Sequence, residues 1–322
     1  MLKNLSNTMP EIAISAAMIL TMLLLSMIFD LPILYPSGER AGFVGVHYIY
    51  PLIGVGLMGI VTLFVGKRAI AFRFLIALPC YAAVIFAYFN INLWIPHINP
   101  ASFDAIYWST DQMLRPIVEL CIIIRRSVFF FIPYEANFYM TSYILLFYVS
   151  FLYHAIKTPK HFGKLIVAAL LLQFFGTVIY LAAPAVGPFI YEAGINPMIT
   201  EAQHNMLAFY RNSVANGPEF LVENGRANFT VGLAAMPSLH SASACLFFLF
   251  AWHHGKILVP LYAFVLIFIL TTAVASRWHY VIDIPVGMAI AWASYRLAAL
   301  LPQQFGINPD IDTPTTQAPL TA

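Results

Sequence analysis

Long apolar stretches recur along the chain and are separated by short polar segments. A helix that crosses the hydrocarbon core of a bilayer needs about 20 mostly apolar residues. Scanning with that length predicts eight membrane-spanning helices, and therefore an all-α, multi-pass integral membrane protein. The predicted spans cover residues 11–29, 48–65, 69–89, 138–156, 164–183, 239–253, 257–275 and 280–300.

Basic residues in short loops predict how the spans are oriented, because lysine and arginine accumulate on the cytoplasmic side. Three basic turns fall on one side of the membrane if residues 90–137 do not cross it. These turns contain Lys67, Lys157 and Lys256. Residues 90–137 include Arg125 and Arg126, a pair that a lipid-facing crossing would tolerate poorly. We therefore predict amphipathic interfacial helices there, cytoplasmic N- and C-termini, and an outer loop over residues 185–236.

Four segments follow from this topology. Residues 1–89 carry three N-terminal spans, residues 90–137 form the interfacial segment, and residues 138–300 form the catalytic membrane core. The first two spans are predicted to be additions to a six-helix core. Residues 301–322 are rich in Pro, Thr and Gln, which predicts a disordered cytoplasmic tail.

Composition supports the membrane class and excludes others. Hydrophobic residues make up 61% of the chain and charged residues only 9%, whereas a soluble domain carries about a quarter charged residues. Too few charges remain to cover a water-exposed surface, so the bilayer is the expected partner. The formal net charge is +2, and no basic cluster alternates with aromatic residues, which argues against nucleic-acid binding. The three cysteines lie in apolar runs without metal-like spacing.

The first candidate for chemistry is the segment 235–243, which contains Pro237, Ser238 and His240. Proline favours the first turn of a helix, so this segment predicts a helix start with Ser238 and His240 at the outer face. Free backbone N–H groups and the positive end of the helix dipole make such a turn suitable for holding an anion.

The second candidate is the segment 275–283, in which His279 and Asp283 are four residues apart. That spacing places both side chains on one helix face, where the carboxylate can orient the imidazole and stabilise its positive charge. Arg277 offers a planar fork suited to phosphate oxygens. The topology brings this segment to the same outer surface as His240. Two imidazoles that titrate near neutrality can then serve as nucleophile and general acid on one phosphorus atom.

Two other readings of the same residues are considered. Two histidines and a carboxylate also form a recognised ligand set for iron or zinc, although Arg277 would repel a metal cation. A transporter could use Asp283 and the histidines as a proton relay, but transporters place such groups near the bilayer midplane. Here the polar residues cluster at the predicted helix ends.

At these residues the chain resembles the type 2 phosphatidic acid phosphatase superfamily. More narrowly, it resembles the branch that contains inositol phosphorylceramide synthases and sphingomyelin synthases. The resemblance rests on Pro237 to Ser241, on His279 to Asp283 followed by Gly287, and on the stretch from Tyr180 to Pro188. It implies a reaction without metal or cofactor that passes through a phosphohistidine.

When the family motifs are matched to this sequence position by position, the resemblance implies a role for each motif residue. His279 would be the nucleophile, Asp283 its orienting partner, and His240 the general acid. Arg277 and the backbone near Ser238 would hold phosphate oxygens. The remaining candidate substrate-binding residues are Ser276, Tyr180, Arg211 and Arg226.

The chain also departs from the family pattern. The superfamily places five residues between its Ser-Arg pair and the histidine, but Ser276-Arg277 stands only one residue before His279. The family's Lys-six-residues-Arg-Pro element is missing, because Trp108 occupies the lysine position before Arg115. With fewer fixed cations, a singly charged phosphodiester fits better than a phosphomonoester.

This charge argument favours transfer of a phosphate-containing head group from a phospholipid to an alcohol. The alternative is a phosphatase that acts on a lipid phosphate or a polyprenyl phosphate with water as the acceptor. In either case the active site is expected on the periplasmic, extracellular or lumenal side.

Overall fold

The computed structural model describes residues 9–37, 50–64, 68–129, 131, 135–230 and 235–301. Within these ranges the secondary structure consists of α-helices and two short 3-10 helices, without a β-strand, so the all-α prediction is confirmed. The α-helices are α1 (Pro10–Phe29), α2 (Tyr50–Phe64), α3 (Arg68–Ile98), α4 (Asp104–Met113), α5 (Arg115–Phe129), α6 (Glu135–Lys157), α7 (Pro159–Ala182), α8 (Pro197–Asn216), α9 (Pro218–Asn224), α10 (Leu239–His254), α11 (Val259–Ala275) and α12 (Asp283–Leu300).

Five of the described helices are long and apolar enough to cross a membrane, which supports a membrane protein. They are Pro10–Phe29, Phe74–Ile98, Phe138–Lys157, Pro159–Ala182 and Lys256–Ala275. The other three predicted spans also form helices. However, α2 and α10 have only 15 and 16 residues, and α12 begins with the buried carboxylate of Asp283. Membrane crossing by these three helices, and the side on which each end lies, stay predictions.

The predicted start of the interfacial segment, at residue 90, lies inside helix α3. Helix α3 continues to Ile98, nine residues beyond the predicted end of the third span. The reason is polar pairing inside the fold: the side-chain amide of Asn90 donates to Leu34 O, and Leu34 N donates to Asn90 Oδ1. The segment then forms α4 and α5, and α5 packs against α11. Residues 302–322 of the predicted tail 301–322, and the turn residue Lys67, lie outside the described residues.

Helix α10 lies in the centre of the membrane core, where it packs against α6, α7, α11 and α12. Two glycines permit its closest contacts. A Cβ added at Gly176 of α7 would lie 2.4 Å from Leu239, and one at Gly287 of α12 would lie 2.8 Å from Ser238 O. Both contacts involve the first residues of α10, so the helices approach most closely at the end that carries His240.

Candidate active site

His279 lies in the short connection between α11 and α12, residues 276–282. The connection turns sharply, because Arg277 adopts a left-handed backbone conformation with φ of 60°. Its backbone remains bonded at both ends: His279 N donates to Ala273 O at 3.1 Å, and Asp283 N donates to Tyr280 O at 3.1 Å. We call residues 276–282 the His279 loop.

The imidazole of His279 has two acceptors at the same ring nitrogen. Nδ1 lies 2.6 Å from the carbonyl oxygen of Ala235 and 3.3 Å from Oδ2 of Asp283. A carbonyl oxygen can only accept, so Nδ1 must carry the proton. The neutral ring therefore keeps its lone pair on Nε2. Sequence reasoning expected Asp283 to hold this tautomer, but the backbone of Ala235 is the closer partner.

Asp283 is fully buried at the first residue of α12. Its Oδ2 accepts from the backbone N–H of Tyr280 at 2.8 Å as well as facing His279. Because the position is the N-terminus of a helix, the helix dipole also stabilises its negative charge. The carboxylate is thus held in place next to the imidazole, as predicted. The predicted shared helix face is wrong, however, because His279 lies in the loop and α12 begins only at Asp283.

Burial sets the protonation state of His279. The side chain is almost inaccessible, and loss of hydration lowers the pKa of this imidazole to about 4, although the bond to Ala235 O opposes the shift. His279 is therefore neutral at pH 7. A neutral imidazole with a free Nε2 lone pair is the form that a nucleophile requires.

His240 lies in the first turn of α10, between two tyrosines of α6. Its ring centroid is 4.6 Å from that of Tyr143 and 5.6 Å from that of Tyr139, both edge-to-face. His279 affects His240 electrostatically, which places the two imidazoles in the same region of the protein. That both act on one phosphate stays a prediction.

Backbone contacts join the two motif segments directly. Ser238 N donates to Asp283 O at 3.4 Å, and His279 bonds to Ala235 as described above. Gly287, one turn further along α12, packs closely against Ser238 O. The start of α10 and the start of α12 thus form one rigid unit, and the positive end of the α10 dipole lies beside the imidazoles.

The remaining polar candidates of the motif segments are engaged within the protein. Ser238 is fully buried, and its hydroxyl donates to Ser241 Oγ at 2.9 Å. The hydroxyl of Tyr180 donates to Pro237 O at 2.7 Å, which fixes the chain just before α10. Ser276 directs its hydroxyl to Ala273 O, and its own carbonyl oxygen accepts from Gln203. In this conformation these side chains support the site.

Arg277 has a carboxylate of the protein as a partner, and its predicted role in holding phosphate oxygens stays a prediction. The side chain is fully buried, and its Nη2 lies 2.9 Å from Oδ2 of Asp111 in α4. Its guanidinium also lies 5.5 Å from the ring centroid of Trp108 and 3.5 Å from Glu192. The positive φ of Arg277 turns it toward α4, so the arginine neutralises a carboxylate of the protein.

Arg211 and Arg226 were the other candidate cations, and both are exposed on the surface. Arg211 lies on α8, and Arg226 lies in the turn after α9, where its carbonyl oxygen accepts from Ser37 N. Neither guanidinium has a hydrogen bond or ion pair to any of the described residues. Their predicted role in substrate binding stays a prediction.

Several residues of the site escaped sequence reasoning. The closest partner of His279 is a backbone carbonyl, for which no residue type is a signal. Asp104 and Asp111 are buried under the His279 loop and bond to Tyr280 and Val281. A signal for these two existed, because a carboxylate in an apolar chain is costly and tends to mark a specific partner. Among the described residues, no group of three or more His, Cys, Asp or Glu is arranged to hold a metal ion.

Comparison with known proteins places this geometry in a family. A sequence model described as the PAP2 superfamily matches residues 125–297, more than half of the chain, and the matched region contains both histidines and Asp283. No curated protein and no solved structure matches. The predicted superfamily is confirmed, while the narrower synthase branch stays a prediction. The chain belongs to the PAP2 superfamily.

Proposed function

We propose that the protein cleaves a lipid phosphoester through a covalent intermediate on His279. Membership of the superfamily supports a lipid phosphoesterase of the phosphatase or phosphotransferase type. The observation that carries the residue assignment is the bond from His279 Nδ1 to Ala235 O, which leaves the Nε2 lone pair for attack. By the orientation of the basic loops, the site faces the periplasmic, extracellular or lumenal side.

In the first step, Nε2 of His279 attacks the phosphorus atom of the lipid. The bond from phosphorus to the lipid alcohol breaks, and the departing oxygen takes a proton from the imidazolium form of His240, which the negative charge of the bound phosphate stabilises. Positive charge develops on the His279 ring as the N–P bond forms, and Asp283 stabilises it from 3.3 Å.

In the second step, His240 acts as a base. It takes the proton from the acceptor hydroxyl, whose oxygen attacks phosphorus and displaces Nε2 of His279. The two histidines return to their starting forms, and no cofactor enters the scheme. Because the acceptor can be an alcohol or water, the same residues serve transfer and hydrolysis.

The charges around the His279 loop favour a phosphodiester donor, and hence head-group transfer. Three buried carboxylates lie at this loop, those of Asp104, Asp111 and Asp283. The nearby guanidinium of Arg277 neutralises the carboxylate of Asp111, so the carboxylates of Asp104 and Asp283 account for the negative charge at the loop. A phosphomonoester carries nearly two negative charges and would meet repulsion there, whereas a diester carries one. The positive end of the α10 helix dipole is sufficient to stabilise the single negative charge of a diester.

Lipid mass spectrometry before and after incubation tests this proposal. Purified wild-type protein, His279→Ala and His253→Ala would each receive phosphatidic acid, or a phosphodiester lipid with diacylglycerol or ceramide as the acceptor. His253 is a matched control, because it is an exposed histidine at the opposite end of α10. We expect head-group transfer by the wild type and by His253→Ala, and no transfer by His279→Ala.

Each part of the proposal can fail separately. Rapid release of inorganic phosphate without head-group transfer would contradict the donor assignment and leave a phosphatase. Unchanged turnover by His279→Ala would contradict the nucleophile. Loss of activity with a chelator and its recovery with zinc or iron would favour the metalloenzyme reading over a phosphohistidine.

A further inference from the structure

Helix α4 places two buried carboxylates against the His279 loop. Asp104 is 2% exposed and Asp111 is fully buried, and both precede the matched region of the family, residues 125–297. A buried carboxylate is seldom retained without specific partners, because its loss of hydration is costly. The partners of these two therefore indicate what α4 does.

Asp111 binds on both sides of His279. Its Oδ1 accepts from the backbone N–H of Val281 at 2.8 Å, two residues after the histidine. Its Oδ2 lies 2.9 Å from Nη2 of Arg277, two residues before it. One carboxylate thus connects the two flanks of the histidine to a neighbouring helix. Val281 also packs with Val118 of α5, which follows α4 directly.

Asp104 binds the next residue in the loop and joins it to a second loop. Its Oδ1 accepts from the hydroxyl of Tyr280 at 2.7 Å and from Gly187 N at 2.9 Å. Its Oδ2 accepts from Val186 N at 2.9 Å and from the hydroxyl of Ser102 at 2.7 Å. Four donors on one carboxylate compensate its burial. They also fix Tyr280 relative to the segment that follows α7.

We propose that Asp104 and Asp111 are positioning residues, which hold the His279 loop in the shape that aims Nε2 at phosphorus. This inference rests on the proposed function of His279. The loop needs such support, because the left-handed conformation of Arg277 is disfavoured for a residue with a Cβ. Both carboxylates act through Tyr280, Val281 and Arg277, and neither touches the substrate.

The expected effect is on turnover more than on binding. A displacement of about 1 Å at a reacting group costs roughly 10²-fold in rate. Asp104→Asn loses negative charge and part of its acceptor capacity, and Tyr280→Phe removes one of its donors. We expect kcat to fall by roughly 10- to 100-fold with Asp104→Asn and by a smaller factor with Tyr280→Phe. KM should stay within about twofold, since substrate contacts are intact.

The experiment combines kinetics with hydrogen–deuterium exchange in a detergent or nanodisc preparation of the full chain. Asp104→Asn and Tyr280→Phe are compared with the wild type and with Glu119→Gln as a matched control. Glu119 is an exposed carboxylate on α5 that pairs with Arg115. Exchange of the backbone amides in residues 276–283 should be faster in the two test variants, and exchange within α11 should be unchanged.

The outcomes separate this inference from the proposed function. Unchanged kcat and unchanged loop exchange in both test variants would overturn the positioning role. A KM raised more than tenfold with unchanged exchange would also overturn it, because the residues would then bind substrate. If Asp104→Asn does not fold, Tyr280→Phe decides, since it keeps the carboxylate and its backbone donors. An inactive wild type would refute the proposed function, while exchange would still decide whether the carboxylates order the loop.

Discussion

Replacing Asp283 with asparagine separates two roles that a carboxylate can have beside a histidine. One is to fix the tautomer of the imidazole, and the other is to stabilise positive charge on the ring. Asparagine keeps an oxygen for the N–H of Tyr280, so the start of α12 should be retained. It removes the negative charge 3.3 Å from His279 Nδ1. The tautomer should survive, because Ala235 O still accepts from Nδ1 at 2.6 Å. In a Ser-His-Asp triad the same change costs about 10⁴-fold in kcat, since there the wrong tautomer forms.

The expected decrease in kcat follows from the distance between Asp283 and His279. Two unit charges 3.3 Å apart interact by about 5 kcal/mol at an effective dielectric constant of about 20. If about half a unit of positive charge develops on the ring in the transition state, about 2.5 kcal/mol of stabilisation is lost. That corresponds to a decrease of roughly 70-fold in kcat. We therefore expect Asp283→Asn to be slow but active, and His279→Ala to be inactive.

Steady-state turnover of a lipid substrate in mixed micelles measures this difference. Size-exclusion profiles and thermal unfolding of each variant would show that the fold is intact. The reasoning is refuted if Asp283→Asn loses as much activity as His279→Ala, because Ala235 would then not hold the tautomer. It is equally refuted if Asp283→Asn keeps full activity, because the carboxylate would then not stabilise the developing charge.

Three further predictions concern the histidines and the helix contact between them. His240→Ala should retain far more activity toward a substrate with an acidic leaving group than toward a lipid ester; equal losses for both would argue against a general acid. Because burial lowers the pKa of His279 to about 4, protonation of this nucleophile should reduce kcat/KM only near pH 4, and an acidic limb centred near pH 6.5 would contradict this. Gly287→Ala places a Cβ 2.8 Å from Ser238 O and should cost about 1–3 kcal/mol of stability together with activity. Gly54→Ala, whose added Cβ meets no neighbouring atom within 4 Å, should lower neither, and equal melting temperatures for both variants would contradict the close helix contact.

The local parts of the fold were predictable from the sequence. Apolar stretches of about 20 residues predicted the long helices, and Pro237 predicted the start of α10 close to Ser238, as observed. The contact of His279 with Asp283 was predicted, but from a shared helix face that the structure does not have, because α12 begins at Asp283. These features are determined by residues that lie close together in the sequence, so the sequence pattern alone can predict them.

The long-range parts were not predictable in the same way. The ion pair of Arg277 with Asp111 and the bond of Tyr280 to Asp104 join residues more than 160 positions apart. No periodicity relates such positions, and only the cost of burying their charges indicated that partners exist. Arg277 is the clearest example, because its residue type suggested a phosphate and gave no indication of its partner Asp111.

The C-terminal end of helix α3 was likewise not predictable from the local sequence. Its apolar run weakens after Phe89, yet the helix continues to Ile98. Asn90 is satisfied by the backbone of Leu34, and the indole N–H of Trp94 donates to Pro32 O. Residues that are polar or amphipathic in the sequence are thus buried by a segment far away along the chain.

Identification of the phosphorylated atom tests the central claim most directly. Wild-type protein, His240→Ala and His279→Ala would be incubated briefly with a phosphorus-labelled lipid donor, quenched in alkali to preserve phosphohistidine, and digested for mass spectrometry. We expect phosphorus on Nε2 of His279, with no labelled peptide from His279→Ala. Label on His240, label on another residue, or turnover without any labelled intermediate would contradict it.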